Sequence, residues 1–293
     1  MTIDGAAFRT LDNRSWEARQ RVADMDAAGV AAQVLSPMPE LLSFWFDIPA
    51  ANAMCEHMNA TIAGLVTEAP DRFCGLGMIP MQDPDAAIKA MADLRPKFGL
   101  RGFEIGTHID GTLLGDARFD PVYAAAQDMG LAIFVHALHP LATKSLAPPA
   151  GRTPLVSYAG FPLDTGLAAA SLLAAGVLSR FPKLKIVLGH GGGALGSIIG
   201  RLDTGWRTTG GYGGAAAETP STQARRLFYD SNVYDPVYLH HLATRFAPGQ
   251  VVLGTDYPYD IMQQDPLAYL RSADLPPDAL ESLMSGAALR LLA

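Results

Sequence analysis

Three polar residues of this 293-residue chain each stand just after a short apolar run. His136 follows LAIFV, His190 follows LKIVLG and Asp256 follows VVLGT. A histidine offers a neutral nitrogen ligand or a proton carrier near neutral pH, and an aspartate offers a hard oxygen ligand or a base. Brought together, two imidazoles and a carboxylate suit a metal-assisted centre that activates water or moves a proton. Arg201, downstream of the glycines after His190, and Arg9, in the irregular N-terminal segment, could each clamp a substrate carboxylate as a guanidinium fork. Taken singly, a histidine at a strand end is ordinarily a packing or capping residue, and an arginine a solvated charge. It is the recurrence at three strand ends that argues for function. His108 and His139 are weaker candidates, whereas His57, His240 and His241 fall within predicted helices and read as surface or structural. Cys55 and Cys74 have no neighbour in sequence that would lower a thiol pKa, and read as small core residues.

The elements that must position these residues are legible as alternation. Candidate strands are Ala31–Leu35, Phe73–Ile79, Leu100–Ile105, Leu131–Val135, Leu184–Leu188, Leu227–Val233 and Val251–Gly254. Each is short and apolar on both parities, as expected of parallel strands covered on both faces. Helices lie between them. Asp83-Pro84, Asp120-Pro121 and Asp235-Pro236 each pair a capping carboxylate with a proline suited to a first turn. A long Ala/Leu helix is predicted over Leu163–Phe181, ended by Pro182. Such alternation over this length predicts a parallel α/β fold, with a (β/α)8 TIM barrel favoured over an open doubly wound sheet. No GxGxxG or GxxxxGK[ST] follows any strand, and the glycines after His190 lack the spacing and lysine of a phosphate loop. In a barrel the three polar residues would meet at the C-terminal ends of the strands, where such folds build active sites. The pattern yields seven strands and none in the first 30 residues, where Ser15–Gly29 reads as helix.

Composition narrows the function classes. With 49% hydrophobic and 17% charged residues the chain can bury a full core. Its 22 basic and 29 acidic residues give a net charge of −7 with no basic run, against nucleic acid or an anionic membrane surface as partner. Two cysteines cannot build a disulfide scaffold, which fits a reducing cytoplasm. The stretch Gly166–Leu178 is too short to span a bilayer, and the N-terminus has no secretory pattern. No repeat, low-complexity linker or second hydrophobic core divides the chain, so one domain over 1–293 is expected. Gly210–Thr219 reads as a surface or active-site loop.

LAIFVH, FPKLKIVLGHGGG, Gly200-Arg201 and GTDYPYD together resemble the amidohydrolase-related family of aminocarboxymuconate semialdehyde decarboxylase and the aromatic-acid decarboxylases. The similarity runs from Asp24-Met25-Asp26 to the C-terminal SGAALRLL. It implies a (β/α)8 barrel with one divalent metal, usually zinc, with manganese as the other candidate. By this resemblance His136 and Asp256 match metal ligands, and His190 matches the histidine acting on metal-bound water. Arg201 matches an arginine that reaches substrate carboxylate across a homodimer interface, and Arg9 a second carboxylate-binding arginine. The implied activity is non-oxidative decarboxylation of a small aromatic or unsaturated acid, with Asp256 also handling protons.

One departure is large. The family's first strand carries an H-x-H pair of metal ligands, but this chain has no histidine before His57 and no H-x-H. The missing motif coincides with the missing strand, so about 40 residues, the order of one βα unit, are expected to be absent at the N-terminus. A naturally metal-free relative is the other explanation. His139 or His108 would have to substitute as ligand, because catalytic zinc ordinarily has three protein ligands. Two further functions stay open: a hydrolase or hydratase acting on a lactone, amide or activated alkene, and a degenerate barrel that only binds ligand. Phe44, Trp45 and Phe46 are candidates for stacking on a planar substrate.

Overall fold

The computed structural model describes residues 2–3, 6–7, 10–141 and 155–293. Two short antiparallel strands, β1 (Thr2–Ile3) and β2 (Ala6–Ala7), open the chain, where the sequence pattern predicts none. They are too short to carry an apolar periodicity. β3 (Gln33–Leu35) and β4 (Phe73–Gly75) then pair in parallel. After β5 (Gly102–Ile105) comes a small antiparallel hairpin of β6 (His108–Ile109) and β7 (Thr112–Leu113). β8 (Ala132–Val135), β9 (Lys185–Leu188), β10 (Phe228–Asp230) and β11 (Val251–Val252) complete the set.

The strands β5, β8, β9, β10 and β11 are parallel neighbours in that order. The segment after β4 joins β5 through Gly77, whose N–H donates to Gly102 O at 2.8 Å and whose carbonyl accepts from Glu104 N at 2.8 Å. All seven strands predicted from the sequence are therefore present, shorter at their ends and placed side by side in sequence order. Among the described residues no ladder joins β11 to β3.

The two parities of each strand bury against different partners. Ile133, Val135, Ile186, Leu188, Tyr229 and Val251 belong to the large core shared with the surrounding helices. Ala132, Val187, Phe228 and Val252 form a second cluster with Ala287 and Leu291 from the last helix, Ala287–Leu292. Burial on both faces is why these strands read as continuous apolar runs.

The helix starts follow the capping chemistry. Asp83 accepts from the N–H groups of Asp85 and Ala86, and the helix runs Pro84–Leu94. Asp235 does the same for Val237 and Tyr238 ahead of Pro236–His241. Asp120 instead lies inside its helix, Asp120–Met129, with Phe119 at the cap position. The predicted helix over Leu163–Phe181 is two, Phe161–Ala174 and Val177–Arg180, broken at Gly176. There φ is +67°, and a Cβ would lie 2.3 Å from the Ala215 carbonyl oxygen, so the chain turns where only glycine fits.

The same steric limit sets the spacing of β5 and β8, where a Cβ on Gly102 would sit 2.0 Å from Ala132 O. Gly102→Ala is expected to destabilise the fold by about 1–3 kcal/mol through forced strand separation, read as a lower urea midpoint at unchanged m-value.

Candidate active site

His136 and His190 stand immediately beyond β8 and β9, and their rings lie 4.9 Å apart between centroids. The sheet register makes this contact. Val135 pairs with Leu188, and Gly189 N donates to Val135 O at 3.0 Å, so the two chains leave the sheet side by side. Phe161 packs against both rings, edge-on to His136 at 5.9 Å and tilted to His190 at 6.1 Å.

Hydrogen bonding fixes which nitrogen of each ring is free. The Nδ1 of His136 lies 2.9 Å from Ala137 O, an acceptor, so Nδ1 carries the proton. Thr165 donates its hydroxyl proton to Phe161 O at 3.0 Å and can only accept from the Nδ1–H of His190, 3.2 Å away. Both imidazoles therefore present a bare Nε2. Burial pushes His136 down to about 4, with the neighbouring His190 adding to the shift and Asp256 opposing it. Burial likewise lowers His190, and Asp256 again opposes. At neutral pH the pair is a pair of neutral bases.

The backbone around His190 is held in an unusual shape. His190 has φ +56°, and Gly191, Gly192 and Gly193 are also left-handed. A Cβ on Gly193 would meet Pro162 O at 1.8 Å, so the glycine run lets the loop pass against the Phe161–Ala174 helix. Asp230, at the end of β10, anchors it. Its carboxylate accepts from His190 N at 3.0 Å, Gly191 N at 2.7 Å and Asn232 N at 3.1 Å. Desolvation lifts Asp230 to about 6 although these donors favour its charged form. Sequence reading passed over Asp230, Thr165 and Tyr234. The one available signal was a carboxylate placed inside an otherwise apolar strand, LFYDSNV.

Asp256 lies beyond β11 with φ +58°, and Tyr234 donates its hydroxyl to Oδ2 at 2.7 Å. Arg201 is exposed on the Leu195–Thr208 helix and has no hydrogen-bond or ion-pair partner among the described residues. The chain itself thus brings His136 and His190 together, with Asp256 acting on both, and leaves Arg201 outside. Arg9 lies outside the described residues.

The other histidines are committed elsewhere. His108 accepts from Gly111 N at its Nδ1, and its Nε2 meets His139 O at 3.0 Å, which leaves no ring nitrogen free. His139 packs edge-on to Trp45 at 5.1 Å. Trp45 is 51% exposed and perpendicular to Phe46, whereas Phe44 is buried in the core. Burial pushes the Cys55 thiol up to about 12 and also raises Cys74, so neither is a thiolate.

His136 and Asp256 have the chemistry of two ligands, each with an outer hydrogen bond. Among the described residues, however, no group of three or more His, Cys, Asp or Glu side chains could hold a metal ion. Two ligands fall one short of an ordinary catalytic zinc site, so these residues do not close a metal centre.

The Amidohydrolase family model matches residues 6–293. This chain belongs to the amidohydrolase family. It is 31% identical to 2-amino-3-carboxymuconate-6-semialdehyde decarboxylase of Dictyostelium discoideum, covering all of this chain and 81% of that one. It also superposes on the crystal structure of 5-carboxyvanillate decarboxylase from Sphingomonas paucimobilis with a TM-score of 0.83. That match has 28% identity and covers 93% of this chain and 82% of the other. A dihydroxybenzoic acid decarboxylase from Polaromonas, solved with bound manganese and the inhibitor 2-nitroresorcinol, shares the fold at a TM-score of 0.80. Its identity is 21%, with 93% of this chain and 85% of that one covered. This α/β amidohydrolase is therefore related to carboxy-lyases. No helix among its described residues is long and apolar enough to cross a membrane.

One more ionisable group faces the interior of the sheet. Glu104 is 1% exposed, on the parity opposite to Phe103 and Ile105. Desolvation pushes it up to about 8, with Ser36 opposing and Glu40 adding. Since the folded chain holds this proton more tightly than the unfolded one, its contribution to stability is complete below about 4.5 and is lost as pH rises to about 8. Glu104→Gln should therefore gain stability over the parent at pH 8 relative to pH 5, by about 3–4 kcal/mol, in urea titrations at the two pH values.

Proposed function

We propose that this amidohydrolase catalyses non-oxidative decarboxylation of a small aromatic or unsaturated carboxylic acid. The observation that carries the reading is the neutral imidazole pair, His136 and His190, each with a bare Nε2 and both under the field of Asp256. Membership of a family whose sequence relatives are named as decarboxylases supports it.

In this reading the substrate lies above the two rings. His190 Nε2 takes a proton from a substrate hydroxyl or from water and returns it to the carbon that loses its carboxylate. The C–C bond breaks, its electron pair stays on that carbon, the proton satisfies it, and carbon dioxide leaves. His136, kept neutral by burial, accepts a hydrogen bond or orients a polar substituent. Asp256 stabilises the imidazolium formed at His190, and the half-exposed Trp45 offers a face to a planar ring. Zinc or manganese is given no step here, because the described residues do not close its site.

Arg201 enters from a second copy of the chain. Its helix packs against Phe161–Ala174, on which Leu163 and Leu167 are 56% and 41% exposed, and Tyr158 in the helical turn before it is 57% exposed. An exposed apolar strip beside an unpartnered arginine suits a homodimer that delivers the guanidinium to the neighbour's substrate carboxylate. Arg9 is the second carboxylate clamp in this scheme.

A hydrolase or hydratase of the same family would use the same base, and isotopes separate the two. Carbon dioxide released from a 2-hydroxybenzoate or muconate-type acid, without oxygen from labelled water entering the product, is the expected result. Uptake of labelled oxygen without carbon dioxide would remove the decarboxylase reading, and neither would leave a ligand-binding barrel. His190→Asn should lower kcat by about 10²–10⁴. Arg201→Ala should lower kcat/KM in a protein that sediments as a dimer, and an unchanged kcat/KM would take Arg201 out of the site.

A further inference from the structure

We infer that Tyr234 is a positioning residue that latches Asp256 in place for the His136/His190 pair. The inference rests on the reading of Asp256 as a site residue and adds a device the sequence did not suggest. Three observations carry it. The Tyr234 hydroxyl donates to Asp256 Oδ2 at 2.7 Å, which commits one carboxylate oxygen. The ring is 41% exposed and belongs to neither apolar cluster, so burial does not account for where it is. Both residues have positive φ, +56° and +58°, a conformation that costs a non-glycine residue free energy and persists where surrounding contacts enforce it.

The bases of the two loops are laced as well. Ser231 Oγ accepts from Gly254 N at 3.0 Å and donates to Gly254 O at 3.3 Å. A Cβ on Gly254 would lie 2.7 Å from Asn232 Nδ2, so the side chain of Asn232 packs directly onto the Gly254 backbone. Ser231 and Gly254 thus register the loops after β10 and β11, and Tyr234 and Asp256 fasten their tips. With that bond made, Asp256 cannot rotate freely, and its charge keeps a fixed bearing on both imidazoles. The hydroxyl is the only part of Tyr234 this role needs, so Tyr234→Phe removes the latch and keeps the ring.

The test uses the ligand-free full chain. Ring nitrogen resonances of the histidines are compared at one fixed pH in the parent, Y234F, D256A and the double variant; alanine is used because asparagine would still accept from the Tyr234 hydroxyl. Y234F is expected to move the His136 and His190 signals in the direction D256A moves them, and to leave His57 and His241 in place. In the D256A background Y234F should add nothing. A Y234F spectrum that superposes on the parent, or a Y234F shift undiminished beside D256A, overturns the latch. Urea midpoints of the four proteins give a second reading: the loss caused by Y234F vanishes when Asp256 is already alanine, and equal losses in both backgrounds overturn the proposal. Neither readout needs turnover, so a chain that releases no carbon dioxide refutes the decarboxylase reading and still decides this one.

Discussion

The arrangement at the top of the sheet depends on a buried carboxylate receiving backbone N–H groups. Asp230 sits at the end of β10 and takes hydrogen bonds from His190 N and Gly191 N, which belong to the loop after β9. Without that acceptor, two N–H groups at the start of a left-handed run would be left unpaired away from water, each at a cost of about 1–3 kcal/mol. The glycines give the loop its shape, but the carboxylate selects that shape from the many that glycine permits. His190 meets His136 because β9 and β8 are in register below, and it keeps that contact because Asp230 holds the loop above.

The site is assembled from consecutive strands, each contributing through the residues just beyond its end. β8 supplies His136, β9 supplies His190, β10 supplies Asp230 and Tyr234, and β11 supplies Asp256. Neighbouring strands are joined directly above the sheet by hydrogen bonds: Gly189 to Val135, Asp230 to His190 and Gly191, and Ser231 to Gly254. The geometry is thus carried from strand to strand by backbone groups, received at two of the three links by a side chain, the Asp230 carboxylate and the Ser231 hydroxyl. Thr165 is the exception, a helix residue that reaches in to set the His190 tautomer.

Much of this was legible in the sequence, for identifiable reasons. Strands buried on both faces must be apolar at every position, so LAIFV and LKIVL announce themselves without periodicity. Aspartate followed by proline marked the starts of Pro84–Leu94 and Pro236–His241 because cap and proline act within one turn. The break at Gly176 was hidden, since its cause, the Ala215 carbonyl, is 39 residues away in sequence. Asp230 and Tyr234 were hidden for the same reason: a carboxylate looks anomalous in a strand until the N–H groups it receives are seen. His139 and His108 show the converse. Their positions beyond strands made them candidate ligands, but hydrogen bonds to backbone and a ring contact with Trp45 use them for packing. Composition distinguished none of these cases, because each is decided by particular contacts that only the folded chain makes.

The left-handed residues have a consequence for how the chain can change. His190, Tyr234 and Asp256 each have positive φ, and one follows each of β9, β10 and β11. Glycine at any of these positions would relax the backbone, because without a Cβ it adopts positive φ about as readily as negative φ. A lineage selected only for thermal endurance would therefore gain by discarding its reactive side chains first. Keeping these three is a trade of robustness for chemistry, and it places the cheapest stabilising substitutions where activity has most to lose.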